Sequence, residues 1–280
     1  NLLLSNGSDS AIKAFFETFV DQGDKVGILS PTYAMIGVYG TLYGADLTEF
    51  KYDQKMRLNL PEILSFIATK PRCLIFANPN QPIGSSIPDD HLDEIIAFAE
   101  SNGVACLIDE AYFEFSDNKD RCRDCCNNGF LFLTRSFSKS MGLAGSRLGY
   151  VISHSENVKQ LIKVKTYAEI NLLAVKSALI LLKQPEFFRE YVTEVSNSKI
   201  LLAEYFSELD VEFIGSDTNF IHIRPQMSAK ELASKLKDRG FMVRAVGDGM
   251  PAVLDGCLRV SLGNAEQTSN FIRAFEICHQ

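Results

Sequence analysis

Along roughly the first 155 residues, short and nearly continuous apolar runs alternate with longer stretches of mixed polarity. The runs KVGILS (25–30), RCLIFA (72–77), VACLID (104–109), FLFLTR (130–135) and LGYVIS (148–153) are rich in β-branched and aromatic residues. That is how strands buried on both faces read. The amphipathic stretches 8–20, 33–43, 60–68 and 89–102 predict helices. The last of these has a start signal at Pro88 and Asp89 and a stop at Gly103. Strand–helix alternation predicts an α/β fold with a mostly parallel central sheet flanked by helices.

The pattern changes after residue 155. Helical stretches follow one another at 155–165, 170–183 and 185–209. VEFI, NFIHI, a helix over 228–238, FMVRAV, CLRVSL and a closing helix from Ala265 complete the chain. The reading is a large domain over residues 1–183 and a smaller C-terminal α+β domain over 184–280. NGSDSA, NPNQPIGSS and AVGDGMPAVLDG are loops by their Gly, Pro, Asn and Asp content.

Composition narrows the function classes. The 280 residues are 46% hydrophobic and carry a net charge of −7, which disfavours nucleic acid as a partner. No apolar run reaches the ~18 to 20 residues of a membrane span. Seven cysteines are too sparse for a disulfide scaffold. Cys73 and Cys106 lie inside apolar runs, where cysteine is a small buried hydrophobe, so a reducing cytoplasm is expected. Asn1 opens the chain without a basic n-region, and a preceding segment is expected.

Asp109 ends a strand within LIDEAY, where a carboxylate at the carboxyl end of a parallel strand meets ligands, and Tyr112 follows three residues on. Lys139 lies thirty residues after Asp109 in SFSKSMGLAGSRLGY. Its small neighbours Ser136, Ser138, Gly142 and Gly145 leave room for a ligand, and Arg147 supplies a fork for a phosphate. In NGSDSAI, Ser8 and Asp9 are placed to cap a helix whose first-turn amides form an anion site. Each feature alone has a bland reading, as an ordinary cap or a solvated loop lysine. In CRDCC, Cys122, Cys125 and Cys126 have a spacing that can start a zinc site, but a second ligand pair is absent from the sequence. They are read as unpaired loop thiols, and no metal is expected.

Taken together, these motifs resemble the fold type I pyridoxal-phosphate enzymes, and within them the class I/II aminotransferases. NPNQPIG (78–84) is similar to their N-P-x-N-P-T-G loop, SPTY (30–33) to their P-x-Y segment, and CLRVSLG (257–263) to their substrate-carboxylate strand. The nearest likeness is to the histidinol-phosphate aminotransferase family, also through GSDSAI, DEAYFEF, TNFIHIR and GFMVRAV. The resemblance implies pyridoxal 5'-phosphate held covalently through Lys139, with Asp109 on the pyridine nitrogen and Tyr112 on the ring oxygen. It implies Tyr33 against the ring face, and Gly7, Ser8, Asp9, Ser136, Ser138 and Arg147 around the phosphate. Gln81 stands where the family has an asparagine, and Ile83 where it has a threonine. Arg244 is implied for a substrate phosphate, Arg259 for a carboxylate, and Asn171 for the substrate end of the site. The implied activity is transamination of a small phosphorylated amine or amino acid with 2-oxoglutarate, in a cytoplasmic homodimer. Two alternatives stay open: a decarboxylase of a phosphorylated amino acid, and an effector-binding domain of a regulator.

Overall fold

The computed structural model describes residues 1–247 and 250–279. The chain begins with β1 (Leu2–Ser5) and α1 (Gly7–Phe19), then β2 (Lys25–Ser30), α2 (Ala34–Leu42), β3 (Asp46–Lys51) and α3 (Leu60–Ala68). It continues with β4 (Cys73–Ala77), α4 (Asp89–Asn102), β5 (Ala105–Asp109), α5 (Cys122–Asn127), β6 (Leu131–Ser136), β7 (Gly149–Ser153) and α6 (Ser155–Val164). The seven strands form one sheet in the order β1-β7-β6-β5-β4-β2-β3. Strands β3, β2, β4, β5 and β6 are parallel, and β7 runs antiparallel to both its neighbours. The carboxyl ends of the parallel strands therefore share one edge with the start of β7, and that edge is where open α/β sheets bind ligands.

The apolar runs become strands because both of their faces are covered. Every residue of β4 and β6 is buried. Alternate side chains feed two separate layers. Leu74, Phe76, Ile108 and Leu133 pack with Ile63, Ile67, Leu92 and Ile95 of α3 and α4. Ile75, Leu107 and Phe132 pack with Ile12, Phe15 and Phe16 of α1 on the other face. Gly103 ends α4 in the left-handed conformation, φ 71°, as its position in the sequence predicts.

The sequence pattern does not announce β1 and β3, which form the two edges of this sheet. Only Phe50 of β3 is buried, so DLTEFK lacks the apolar continuity of a central strand.

The second half contains α7 (Leu172–Leu182), α8 (Pro185–Glu208), β8 (Glu212–Ile214), β9 (Phe220–Arg224), α9 (Ala229–Lys237), β10 (Arg244–Ala245), β11 (Leu258–Ser261) and α10 (Ala265–His279). The expected division at 183/184 falls in the connection between α7 and α8. Four antiparallel strands lie in the order β10-β11-β9-β8. Val195, Leu202 and Phe206 of α8 pack with Ile221, Ile223, Leu232 and Phe275 in this unit's core. Tyr112 and Phe115, from the loop after β5, join the same cluster and tie the two sheets together. FMVRAV contributes only the two strand residues Arg244 and Ala245, fewer than expected. CRDCC is a correction too: these thiols lie on α5, not in a loop, and Cys125 is fully buried with its thiol 3.1 Å from the Ile152 carbonyl. Among the described residues no cluster of three or more His, Cys, Asp or Glu is placed to hold a metal, all seven cysteines are free, and no helix is long and apolar enough to cross a membrane.

Candidate active site

A cleft opens at the carboxyl edge of the large sheet. Ser8, Asp9, Tyr33, Gln81, Asp109, Tyr112, Ser136, Ser138, Lys139 and Arg147 all line it. Residues up to 139 positions apart in sequence meet here because four elements, β5, β6, α1 and the loop after β4, end or begin on one edge.

Asp109 is the last residue of β5 and is buried. The Thr134 hydroxyl of neighbouring β6 donates to its Oδ1 at 2.8 Å. Burial pushes the Asp109 carboxyl up to about 6, against the opposing pull of the Thr134 hydrogen bond and the Lys139 charge. Lys139 follows β6 in the loop that returns to β7. The loop is closed by Phe137 N–H donating to the Leu148 carbonyl and Leu143 N–H to Phe137, at 3.0 and 2.9 Å. The Lys139 Nζ sits 4.9 Å from the centre of the Tyr112 ring.

The anion cradle lies opposite. Sequence reading expects Ser8 or Asp9 to cap α1. Instead Asn6 holds the cap position without a side-chain hydrogen bond, which leaves the first-turn amides of α1 to an outside acceptor. Gly149 is required for this geometry: a Cβ there would come within 2.5 Å of the Ser8 nitrogen. Gly7 has φ +80°, and a Cβ on it would stand 2.8 Å from the Arg147 guanidinium. Arg147 itself is held at φ 51°, a backbone conformation that costs a non-glycine residue energy and often marks function. The Asp9 carboxylate does not face the cradle as a lone charge. It accepts from the hydroxyls of Tyr39 at 3.0 Å and Tyr33 at 3.3 Å. Burial and the Asp9 charge raise the Tyr33 phenol to about 12, so it stays a donor.

Gln81 is placed by a neighbour that the sequence does not flag. Asn80 accepts from the Thr32 hydroxyl at 2.9 Å and donates to the Pro31 carbonyl and the Tyr52 hydroxyl, both at 2.9 Å. This ties the loop carrying Tyr33 to the loop carrying Gln81. Tyr33 and Gln81 then form a shared wall with a second cleft, lined also by His222, Arg244 and Arg259. Asn171 is not brought to either cleft. It is exposed and caps α7, its Oδ1 accepting from Leu173 N–H at 2.8 Å. An asparagine just ahead of an apolar helix is a cap before it is a ligand. Thr134, Asn80 and His222 were not anticipated. Thr134 had a signal, as the first polar residue at the carboxyl end of an apolar run.

Uncapped amides beside a guanidinium suit a phosphate. A buried carboxylate at the strand end suits a protonated ring nitrogen. A primary amine on an aromatic face suits covalent attachment of an aldehyde. Pyridoxal phosphate matches all three features. The class is therefore a pyridoxal-phosphate-dependent transaminase built on the fold type I architecture. Residues 1–275 match the family described as aminotransferase class I and II, and the chain belongs to that family.

The histidinol-phosphate aminotransferase of Sulfurisphaera tokodaii is 30% identical over 276 residues, covering 98% of this chain and 74% of the relative. A dihydroxyacetone phosphate transaminase of Campylobacter jejuni is 31% identical over 273 residues, covering 95% and 72%. Among solved structures, the histidinol-phosphate aminotransferase of Sinorhizobium meliloti in complex with pyridoxal-5'-phosphate superimposes with a TM-score of 0.86 at 23% identity. That match covers 100% of this chain and 77% of the other.

Proposed function

We propose that this transaminase takes its amino group from a small phosphorylated amine or amino acid of the histidinol-phosphate kind and passes it to 2-oxoglutarate. One observation carries the substrate reading. Arg244 and Arg259 are direct cross-strand partners on β10 and β11, and both line the cleft that shares Tyr33 and Gln81 with the lysine cleft. Like charges placed opposite each other destabilise a sheet. Such a pair is sensible where an anion settles between them. The names of the relatives, histidinol-phosphate aminotransferase and dihydroxyacetone phosphate transaminase, both point to a phosphorylated substrate.

The bound cofactor supplies an electron sink for the bonds at the substrate α-carbon. The chain's residues do the rest. Lys139 would provide the covalent anchor and, when free, would serve within the cleft as the base that moves the α-proton. Asp109, oriented by Thr134, would hold a proton on the ring nitrogen. Tyr112 would donate to the ring oxygen, and Tyr33 and Gln81 would border the ring. The first-turn amides of Gly7, Ser8 and Asp9, together with Ser136, Ser138 and Arg147, bind the phosphate. Arg259 and Arg244 receive the substrate's anionic groups.

The same proposal includes a homodimer in a reducing cytoplasm. Leu172, Leu173, Leu179 and Ile180 on α7 are 53–73% exposed, an apolar surface suited to a second copy. A donor screen tests the reading, comparing histidinol phosphate, phosphoserine, phosphothreonine and aminophosphonates with their unphosphorylated counterparts. Amino transfer from a phosphorylated donor without CO₂ release is expected. Release of CO₂ would convert the reading to a decarboxylase, and a preference for unphosphorylated donors would overturn it.

A further inference from the structure

The arginine cleft contains a third polar group that neither the sequence motifs nor the family likeness assigns. His222 lies on β9 directly opposite Arg259, and Arg259 lies directly opposite Arg244. The three side chains therefore form one row across the small sheet, on one face. All three line the same cleft.

His222 is only 1% exposed. Among the described residues neither of its ring nitrogens has a hydrogen-bond partner. A buried imidazole left this way is costly, and native structures rarely tolerate it without a reason. The Pro82 carbonyl is near enough to favour a protonated ring, yet its geometry falls outside a hydrogen bond. The ring is held edge-to-face on Phe220 at 5.6 Å. Phe220 also lies under the Arg259 guanidinium at 5.1 Å and against Tyr112 at 5.7 Å. The imidazole is thus locked in place beside the arginines. Burial and the Arg259 charge lower its pKa to about 4, so near neutrality it offers one N–H and one lone pair without adding a third positive charge.

We infer that His222 is a specificity-determining contact, donating to the third oxygen of a tetrahedral anionic head group held between Arg244 and Arg259. A carboxylate has two oxygens, which guanidinium forks satisfy alone. A phosphate ester has three terminal oxygens, and the row offers three donor side chains, one for each. His222 therefore selects phosphate over carboxylate at the substrate's distal end. This inference rests on the phosphorylated-donor reading above.

The test compares the holoenzyme with His222→Leu and His222→Gln. With histidinol phosphate as donor, His222→Leu should raise KM about tenfold, the worth of one hydrogen bond to a charged group. Its kcat should change little, and KM for glutamate should stay within about twofold. His222→Gln, whose amide still donates, should recover most of the loss. A second arm reads binding without turnover: inorganic phosphate should raise the thermal midpoint of wild type and of His222→Gln, but not of His222→Leu. If His222→Leu keeps both its discrimination and its response to phosphate, or if KM for both donors rises in parallel, the inference falls. Should wild type itself prefer unphosphorylated donors, the proposed function fails, and the phosphate-binding arm still decides whether His222 contacts such an anion.

Discussion

The Lys139 ammonium rests 4.9 Å from the centre of the Tyr112 ring, and Tyr112 also meets Phe220 of the small sheet edge-to-face at 5.7 Å. The Lys139 amine and the arginine row are therefore joined through two aromatic rings packed in a common core. A shift of the small sheet against the large one would move the arginine row relative to the amine. That mechanical link makes Tyr112 a bridge between the two sheets, beside its proposed part at the cofactor ring.

Lys139 should be the sole covalent anchor. Borohydride reduction of the holoenzyme followed by peptide mapping should mark the peptide carrying Lys139. Lys139→Ala should lose at least about 10³-fold in transamination, since both the anchor and the base are gone. Marking of another lysine, or a Lys139→Ala variant retaining wild-type turnover, would refute the assignment.

Arg147 and Gly7 should act together. With Arg147 on the cofactor phosphate as proposed, Arg147→Ala should weaken cofactor affinity by about ten- to a hundredfold. Gly7→Ala places a methyl 2.8 Å from the same guanidinium at a φ of +80°, so it should weaken affinity comparably while leaving the arginine intact. Titrating cofactor-free protein with pyridoxal phosphate measures both. Wild-type affinity in Gly7→Ala would show that the cradle tolerates a displaced guanidinium.

Arg121 is a structural charge beside the start of α4. Its side chain is 2% exposed and pairs with Asp89 at 2.8 Å and Asp93 at 2.9 Å. Both carboxylates are close to half exposed and regain water when the arginine is lost. Arg121→Met should therefore cost about 2–3 kcal/mol, below the full penalty for breaking a buried pair. Denaturant melts of the holoenzyme would read the loss, with the KM of both substrates unchanged. A shift in KM would mean that α4 is coupled to the cleft.

How much was legible in the sequence divides along physical lines. Lys139 could be read because it is the one basic residue in the stretch of small residues just past β6, and Asp109 because it closes the apolar run of β5. Central strands were legible for the same reason, and the edge strand β3 was not, because its exposed face breaks the apolar run. The partners of the site residues were mostly hidden. Asn80 gains its role only when two loops separated by forty-eight positions meet through Thr32. His222 looked like one polar position in an alternating strand until cross-strand register placed it beside Arg259. Asn171 misled because local capping and ligand binding use the same side chain, and sequence spacing cannot separate them. Asp248 and Gly249, in the loop AVGDGMPAVLDG, lie outside the described residues.

Asp109 should leave a pH signature in cofactor-free protein. Its carboxyl is raised from 3.8 to about 6 by burial. A raised acid contributes stability that is fully present below the unfolded value and lost as pH rises through the folded one. Cofactor-free wild type should thus lose thermal stability between about pH 4 and pH 6.5 relative to Asp109→Asn, which has no proton to release there. Glu110, raised to about 7 by burial despite its Arg135 partner, titrates in an overlapping range, but it is present in both proteins and cancels in the difference. Above the window the variant should be the more stable of the two without cofactor. With cofactor the order should reverse, because only the carboxylate can pair with a protonated ring nitrogen, and Asp109→Asn should bind pyridoxal phosphate more weakly. Thermal midpoints of both proteins from pH 4 to 8, with and without pyridoxal phosphate, give the answer. Parallel curves without cofactor would mean that Asp109 ionises as freely as in water, and that its burial between Thr134 and Lys139 does not hold it in reserve for a cationic partner.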